Sequence, residues 1–205
     1  MNFLISNLNE CNFPATAVLL ALIFISSIYD FINRAWFYRM ILHPYGIIYK
    51  KQYWRLLSAD LVHNDWIHLM LNGATLYVFG AGLEEELRRK SAQGSWQFLI
   101  IYLCSLLCGS VAMTIRHRKD FTYSSAGASG SITGCLFGFV LIDPNFESFF
   151  IPGIGAVKNL YAGLIYILAL VAYQKRKGSE INYGLHLFGA LGGLAATLCL
   201  FPPHW

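Results

Sequence analysis

At 205 residues, with 56% hydrophobic and 13% charged residues and a mean hydropathy of +0.49, the chain is too apolar and too sparsely charged for an ordinary water-soluble domain. The same wealth of Leu, Ile, Phe and Tyr excludes disorder. The net charge of +4 is spread over several connections instead of forming one basic run, so nucleic-acid binding gets no support.

Five cysteines, at positions 11, 104, 108, 135 and 199, are an odd number, and four fall inside apolar runs, which argues against a disulfide framework. The opening MNFLISNLNECNF lacks the basic n-region and small-residue cleavage site of a signal peptide, so the first apolar run is expected to remain in the mature protein. At about 20 residues per crossing, the chain has room for about six spanning helices.

Six apolar segments follow in order. The first runs from Phe13 to Tyr29 and is free of Asp, Glu, Lys and Arg. A long connection comes next, mixing Trp36, Phe37, Tyr45, Tyr49, Tyr53 and Trp54 with Arg34, Arg39, Lys50, Lys51 and Arg55. Aromatic rings with basic neighbours favour the headgroup layer, so this loop is expected to lie on or partly in the membrane; a plain amphipathic anchor is the alternative. The second span, Trp66 to Leu83, also lacks those charges but carries His68 and Asn72. The third and fourth run from Ser95 to Ile115 and from Phe121 to Ile142. The fifth, Asn159 to Gln174, is the shortest and is extended backward through the apolar run Phe149 to Val157, with its start set at about residue 153, while the sixth runs from Ile181 to Phe201. None of these runs has the two-residue alternation of a membrane barrel. The expected fold is an all-α membrane protein, a bundle of six transmembrane helices with a long interfacial first loop, formed as a single domain over residues 1–205.

An even number of crossings puts both termini on one side, with four basic residues; the other side holds eleven. Taken literally, the positive-inside rule assigns the long-loop side to the cytoplasm.

Polar groups at membrane depth are costly, which makes each one a functional candidate. His68 and Asn72 are four residues apart and share a helix face, with His63 just before the helix. On their own they could be interhelical hydrogen-bonding residues. Gly127-Ala128-Ser129-Gly130 opens the fourth span, where Gly130, Gly134 and Gly138 recur every four residues and make a face for close helix contact. Packing alone could explain those glycines. The G-x-S-x-G elbow of soluble hydrolases is not met, because position 131 is Ser. His186 stands about one turn into the last span, followed by Gly189 and Gly193. An even number of crossings separates the fourth and sixth helices, so they run in the same direction and Ser129 and His186 lie near one membrane face. The second helix runs the same way, bringing His68 and Asn72 toward that face. A serine needs a base to become a nucleophile, and its tetrahedral intermediate needs donors aimed at the oxyanion.

With these residues in view, the chain resembles the rhomboid family of intramembrane serine proteases. Trp54-Arg55 resembles the W-R of the family's first loop, and His63 to Asn72 resembles its H-x4-H-x3-N. Gly80 with Glu84 resembles the Gly and Glu closing its second helix. Gly127 to Gly130 resembles its G-x-S-G, and His186 with Gly189 and Gly193 its H-x2-G-x3-G. Five ordered matches are far more specific than any one.

The resemblance implies Ser129 as nucleophile and His186 as general base and later acid, a dyad without a carboxylate. The oxyanion would be held by the Ser129 N–H with the side chains of His68 and Asn72. His63 would be structural or assisting, and Arg55 would brace the first loop. Gly127, Gly130 and Thr133 complete the supporting set. The implied substrates are single-pass or other transmembrane proteins, cut in or near a membrane helix, with the lipid bilayer as surroundings. No cofactor is implied, and no metal: no Glu follows any of the six histidines, so H-E-x-x-H is absent.

Thr133 is a departure, standing where family members often have an aromatic that packs on the catalytic imidazole. The resemblance implies a multi-pass protein of the cell (inner) membrane with its active site open to the non-cytoplasmic face, against the charge count. The folded first loop supplies five of the eleven charges on the long-loop side and need not translocate as a simple tether. Two other readings are a non-catalytic rhomboid-like protein that binds transmembrane helices, and a small transporter or channel. The second would want broken helices or ionisable residues in paired positions, and no internal symmetry is visible.

Overall fold

A computed structural model describes residues 13–176 and 182–202. Helix α1, Pro14–Ile32, begins with proline in its first turn, where a missing N–H costs nothing. Its N-cap Phe13 has no side-chain acceptor. The acceptors come instead from far along the chain: the buried Glu84 carboxylate takes the N–H groups of Ala15 at 3.0 Å and Thr16 at 2.7 Å. A carboxylate there also faces the positive end of the helix dipole.

The long first connection is folded. It contains α2 (Arg34–Met40), α3 (Pro44–Lys50), α4 (Arg55–Ser58) and a 3₁₀ turn over Ala59–Leu61. Arg55 ties them together: its Nη1 donates to the carbonyls of Tyr38 and Ile41 at 2.9 and 2.8 Å, and its Nε to Gln52 Oε1 at 2.7 Å. Those carbonyls lie near the C-terminal end of α2, where a cation is favoured. Burial pulls the Arg55 guanidinium down from its ordinary range.

Helix α5, Trp66–Thr75, is capped by Asp65, whose Oδ1 accepts from His68 N–H at 2.9 Å. It passes through a π-helical turn, Leu76–Gly80, directly into α6, Ala81–Lys90. A π-turn inside a helix inserts one residue and re-aims the faces on either side of it. Helix α7 spans Gly94–Arg116, and α8 spans Ser129–Ile142. Two strands follow, β1 (Glu147–Ile151) and β2 (Gly155–Lys158), paired antiparallel with Phe149 opposite Val157. Helices α9, Asn159–Arg176, and α10, Tyr183–Leu200, complete the described chain.

Two sequence expectations need correction. The fold is mostly helical, not all-α, because residues that read as a backward extension of the fifth span form the β1–β2 hairpin. Gly153 and Gly155, both at positive φ, turn the chain there, and the aromatic and β-branched residues around them suit strands. The fourth helix begins at Ser129 and not at Phe121. Residues 121–128 are held outside the helix: Leu42 and Ser125 exchange backbone hydrogen bonds of 2.9 and 3.1 Å, and Gly127 stands at φ +105°. The helix of the second span runs on past Leu83, through the charged residues of α6, to Lys90. Ile181, the expected start of the last span, and Cys11 lie outside the described residues.

The centre of the structure is α10, which packs chiefly on α7 and α8. Phe98 and Ile101 of α7, Ile132, Leu136 and Phe139 of α8, and Leu69, Leu76 and Leu83 from the second-span helix form the main buried cluster. The outer surface is apolar as well: Ile32 is 81% exposed, Trp96 70% and Leu168 69%. Large apolar residues on an outer surface are what lipid requires and water penalises. By length and composition, α1, α7 and α10 are each sufficient to cross a membrane.

Candidate active site

Helices α8 and α10 approach through glycines. A Cβ on Gly189 would collide with the Gly130 carbonyl, and one on Gly193 with the Gly134 carbonyl. The pairs 130/189 and 134/193 step down both helices together, so the helices run parallel with their N-termini at one end. The contact is far closer than ordinary side chains permit.

That approach carries Ser129, the first residue of α8, against His186, in the first turn of α10. Ser129 Oγ lies 2.8 Å from His186 Nε2. Ser129 is buried and His186 half-buried. No carboxylate is bonded to His186 among the described residues. Its ring must therefore carry its proton on Nδ1 if Nε2 is to accept from the serine. The N-cap of α8 is Ala128, which has no side chain able to accept a hydrogen bond, so the first-turn N–H groups are left without a capping side chain.

His68 enters from α5. Its ring lies over Gly127, where a Cβ would strike Cε1 and Nε2. Gly127 therefore serves twice: no side chain may occupy the space under the imidazole, and its φ of +105° suits glycine. Asn72, one turn after His68, is buried and gives one amide N–H to the His68 carbonyl at 3.0 Å, leaving the other N–H of that amide. The sequence-predicted set Ser129, His186, His68 and Gly127 thus converges at the N-terminal end of α8.

The remaining predicted residues stand behind this group. His63 is fully buried, its ring 5.0 Å from that of His68 and nearly perpendicular to it. Ser27 Oγ pairs with His63 Nδ1 at 2.8 Å, and Asp30 Oδ2 accepts the His63 N–H at 3.1 Å, so the last turns of α1 hold the segment leading into α5. Burial, assisted by the neighbouring His68, pushes the His63 imidazole down to about 3, so it is neutral at physiological pH. Arg55 lies outside the cluster and acts on the first connection. Thr133 turns its hydroxyl back onto the Ser129 carbonyl at 2.6 Å, a bond within its own helix.

The sequence reading missed Asp60 and gave Ser131 no role beyond excluding the soluble-hydrolase elbow. Asp60 Oδ2 accepts from the hydroxyls of Ser131 and, at 3.1 Å, of Tyr102. Desolvation raises the Asp60 carboxyl to about 7 against the opposing pull of those two hydroxyls. The available signal was a lone acidic residue inside the apolar stretch LLSADLV.

Residues 50–203 match the family model described as Rhomboid domain. Among similar proteins is the putative rhomboid protease YdcA of Bacillus subtilis (strain 168), 31% identical over 150 residues, which are 73% of this chain and 68% of that protein. Rhomboid protease GluP of the same organism is 30% identical over 158 residues, 77% of this chain but 28% of that protein. Rhomboid-related protein 2 of Mus musculus is 26% identical over 159 residues, 74% of this chain and 49% of that protein. The chain thus spans less than half of the two latter relatives. The matched region holds every residue of the cluster around Ser129, and the chain belongs to the rhomboid family.

Proposed function

We propose that the protein is an intramembrane serine endopeptidase that hydrolyses peptide bonds in or near transmembrane helices of other membrane proteins. The observation that carries this reading is the 2.8 Å contact between Ser129 Oγ and His186 Nε2, made across two glycine-faced helices. Ser129 attacks the substrate carbonyl carbon while His186 Nε2 takes the hydroxyl proton. The resulting oxyanion is held by the Ser129 N–H and the side chains of His68 and Asn72. His186 then returns the proton to the departing amine, leaving an acyl-enzyme on Ser129. Water, deprotonated by the same imidazole, attacks the acyl carbon; the bond to Ser129 Oγ breaks, the imidazolium returns its proton to that oxygen, and the second product leaves as a carboxylic acid.

Among the described residues no carboxylate joins the dyad, so packing orients the imidazole. Close contact between α8 and α10 supplies that restraint. The chain crosses the membrane six times in this reading: α1, the continuous α5–α6 helix, α7, α8, α9 and α10, as one domain of the cell (inner) membrane. Helix α8 is short for a full crossing, with 14 residues. Starting it below the membrane surface sets Ser129 within the bilayer's depth, reached by water from one face. That face is taken as non-cytoplasmic, with the folded first connection alongside it.

The test is cleavage of a single-pass membrane protein by the purified protein in liposomes, beside Ser129→Ala. Cleavage by the wild type alone is expected. Equal product from both would overturn the protease reading in favour of a protein that binds transmembrane helices without cutting them.

A further inference from the structure

Ala59 and Asp60, adjacent in the 3₁₀ turn of the first connection, reach the segment around Ser129 from both sides. The Ala59 carbonyl accepts the Gly127 N–H at 2.9 Å, two residues before Ser129. The Asp60 carboxyl accepts the Ser131 hydroxyl, two residues after it. The same carboxyl oxygen accepts from Tyr102 of α7, at 3.1 Å. Asp60 and Tyr102 are 6% and 2% exposed. Burying a carboxyl is costly, and an apolar side chain of similar size would pack there at no such cost. What an apolar residue cannot do is fix the direction of a neighbouring hydroxyl and, with it, the rotation of the helix turn that carries it. None of Asp60, Ser131 or Tyr102 belongs to the motifs that carry the family resemblance, and none is bonded to Ser129 Oγ or His186.

We propose that Asp60 is a positioning residue for acylation. Gripping Ser131, while its neighbour Ala59 grips Gly127, it locks the first turn of α8 so that Ser129 Oγ and the Ser129 N–H face the substrate carbonyl. This rests on Ser129 being the nucleophile. Asp60 is buried and bonded to Ser131 and Tyr102, not to Ser129 Oγ or His186, so its loss should act on turnover and not on substrate binding. A misplacement of about 1 Å at a reacting centre costs about 10²-fold in rate.

The test compares wild type, Asp60→Ala, Asp60→Asn, Ser131→Ala and Ser129→Ala in detergent, with two readouts. One is kcat and KM on a fluorogenic single-pass peptide; the other is hydrogen–deuterium exchange at residues 125–132. Asp60→Ala is expected to lower kcat about 10- to 100-fold with KM within about threefold. Exchange at residues 127–131 should rise about tenfold or more. Ser131→Ala should act in the same direction, and a protein carrying both Asp60→Ala and Ser131→Ala should be no worse than Asp60→Ala, as for two partners of one interaction. Asp60→Asn, which keeps an oxygen acceptor, should recover most of kcat.

A folded Asp60→Ala protein with wild-type exchange, or with a defect confined to KM, would overturn the proposal. If Asp60→Ala does not fold, Ser131→Ala decides: wild-type kcat and exchange there would overturn it equally. A wild-type protein that cleaves nothing, with exchange still faster in Asp60→Ala, sinks the protease reading and sustains the locking of the turn.

Discussion

Ser129 Oγ and His186 Nε2 stand 2.8 Å apart although 57 residues separate them, because Gly189 and Gly193 allow α10 to press on the backbone of α8. The contact is a consequence of missing side chains. Any atom added to that seam would move the His186 imidazole away from the Ser129 hydroxyl.

His186→Ala should abolish cleavage, by about 10³-fold or more, while leaving the protein folded. The imidazole is half-buried, so its removal opens little packed volume. Cleavage assays paired with thermal unfolding in detergent check this. A large fall in Tm would show the histidine to be chiefly structural.

Asn72→Ala should lower kcat by about 10- to 100-fold, less than loss of a full oxyanion donor in a soluble protease. One of its two N–H groups is already given to the His68 carbonyl, and in the proposed mechanism His68 and the Ser129 N–H remain as donors. Steady-state kinetics should show the loss in kcat with KM little changed.

Gly127→Ala should both destabilise and inactivate. Left-handed backbone costs a residue with a Cβ about 1–2 kcal/mol, and the added methyl would also displace the His68 ring. Thermal unfolding and cleavage should fall together, with no rescue of rate at low temperature.

The Asp60 carboxyl, raised to about 7 from an ordinary 3.8, makes stability depend on pH. The unfolded chain releases this proton near pH 4 and the folded protein holds it to about pH 7. Between those values the folded state binds more protons, so this contribution is full below pH 4 and declines as pH rises toward 7. Unfolding midpoints of wild type should fall across that window relative to Asp60→Asn, which has no proton to lose. Parallel profiles for the two proteins would count against a neutral buried carboxyl.

Much of this was legible in the sequence where the signal is local. The third span, read as 95–115, is the helix Gly94–Arg116, because an unbroken apolar run leaves the backbone no alternative in lipid. Four-residue glycine spacing after Ser129 and His186 marked two helix faces, and those faces meet. The errors came where tertiary partners decide. Phe149 to Val157 is as apolar as a helix extension, and only the turn glycines and strand pairing make it a hairpin. Phe121 to Ala128 stays outside α8 because it pairs with Leu42 and Ala59, far back in the chain. Asp60 was invisible as a partner of Tyr102 and Ser131, which lie 42 and 71 residues away.

The most direct test of the Ser129–His186 dyad is intact-protein mass spectrometry after treatment with a fluorophosphonate, with the adduct mapped by peptide sequencing. Wild type is expected to gain one adduct, on Ser129, and His186→Ala to gain none at the same probe concentration and time. An unlabelled wild type, or a folded His186→Ala variant labelled on Ser129 as fast as wild type, would contradict a serine activated by this histidine.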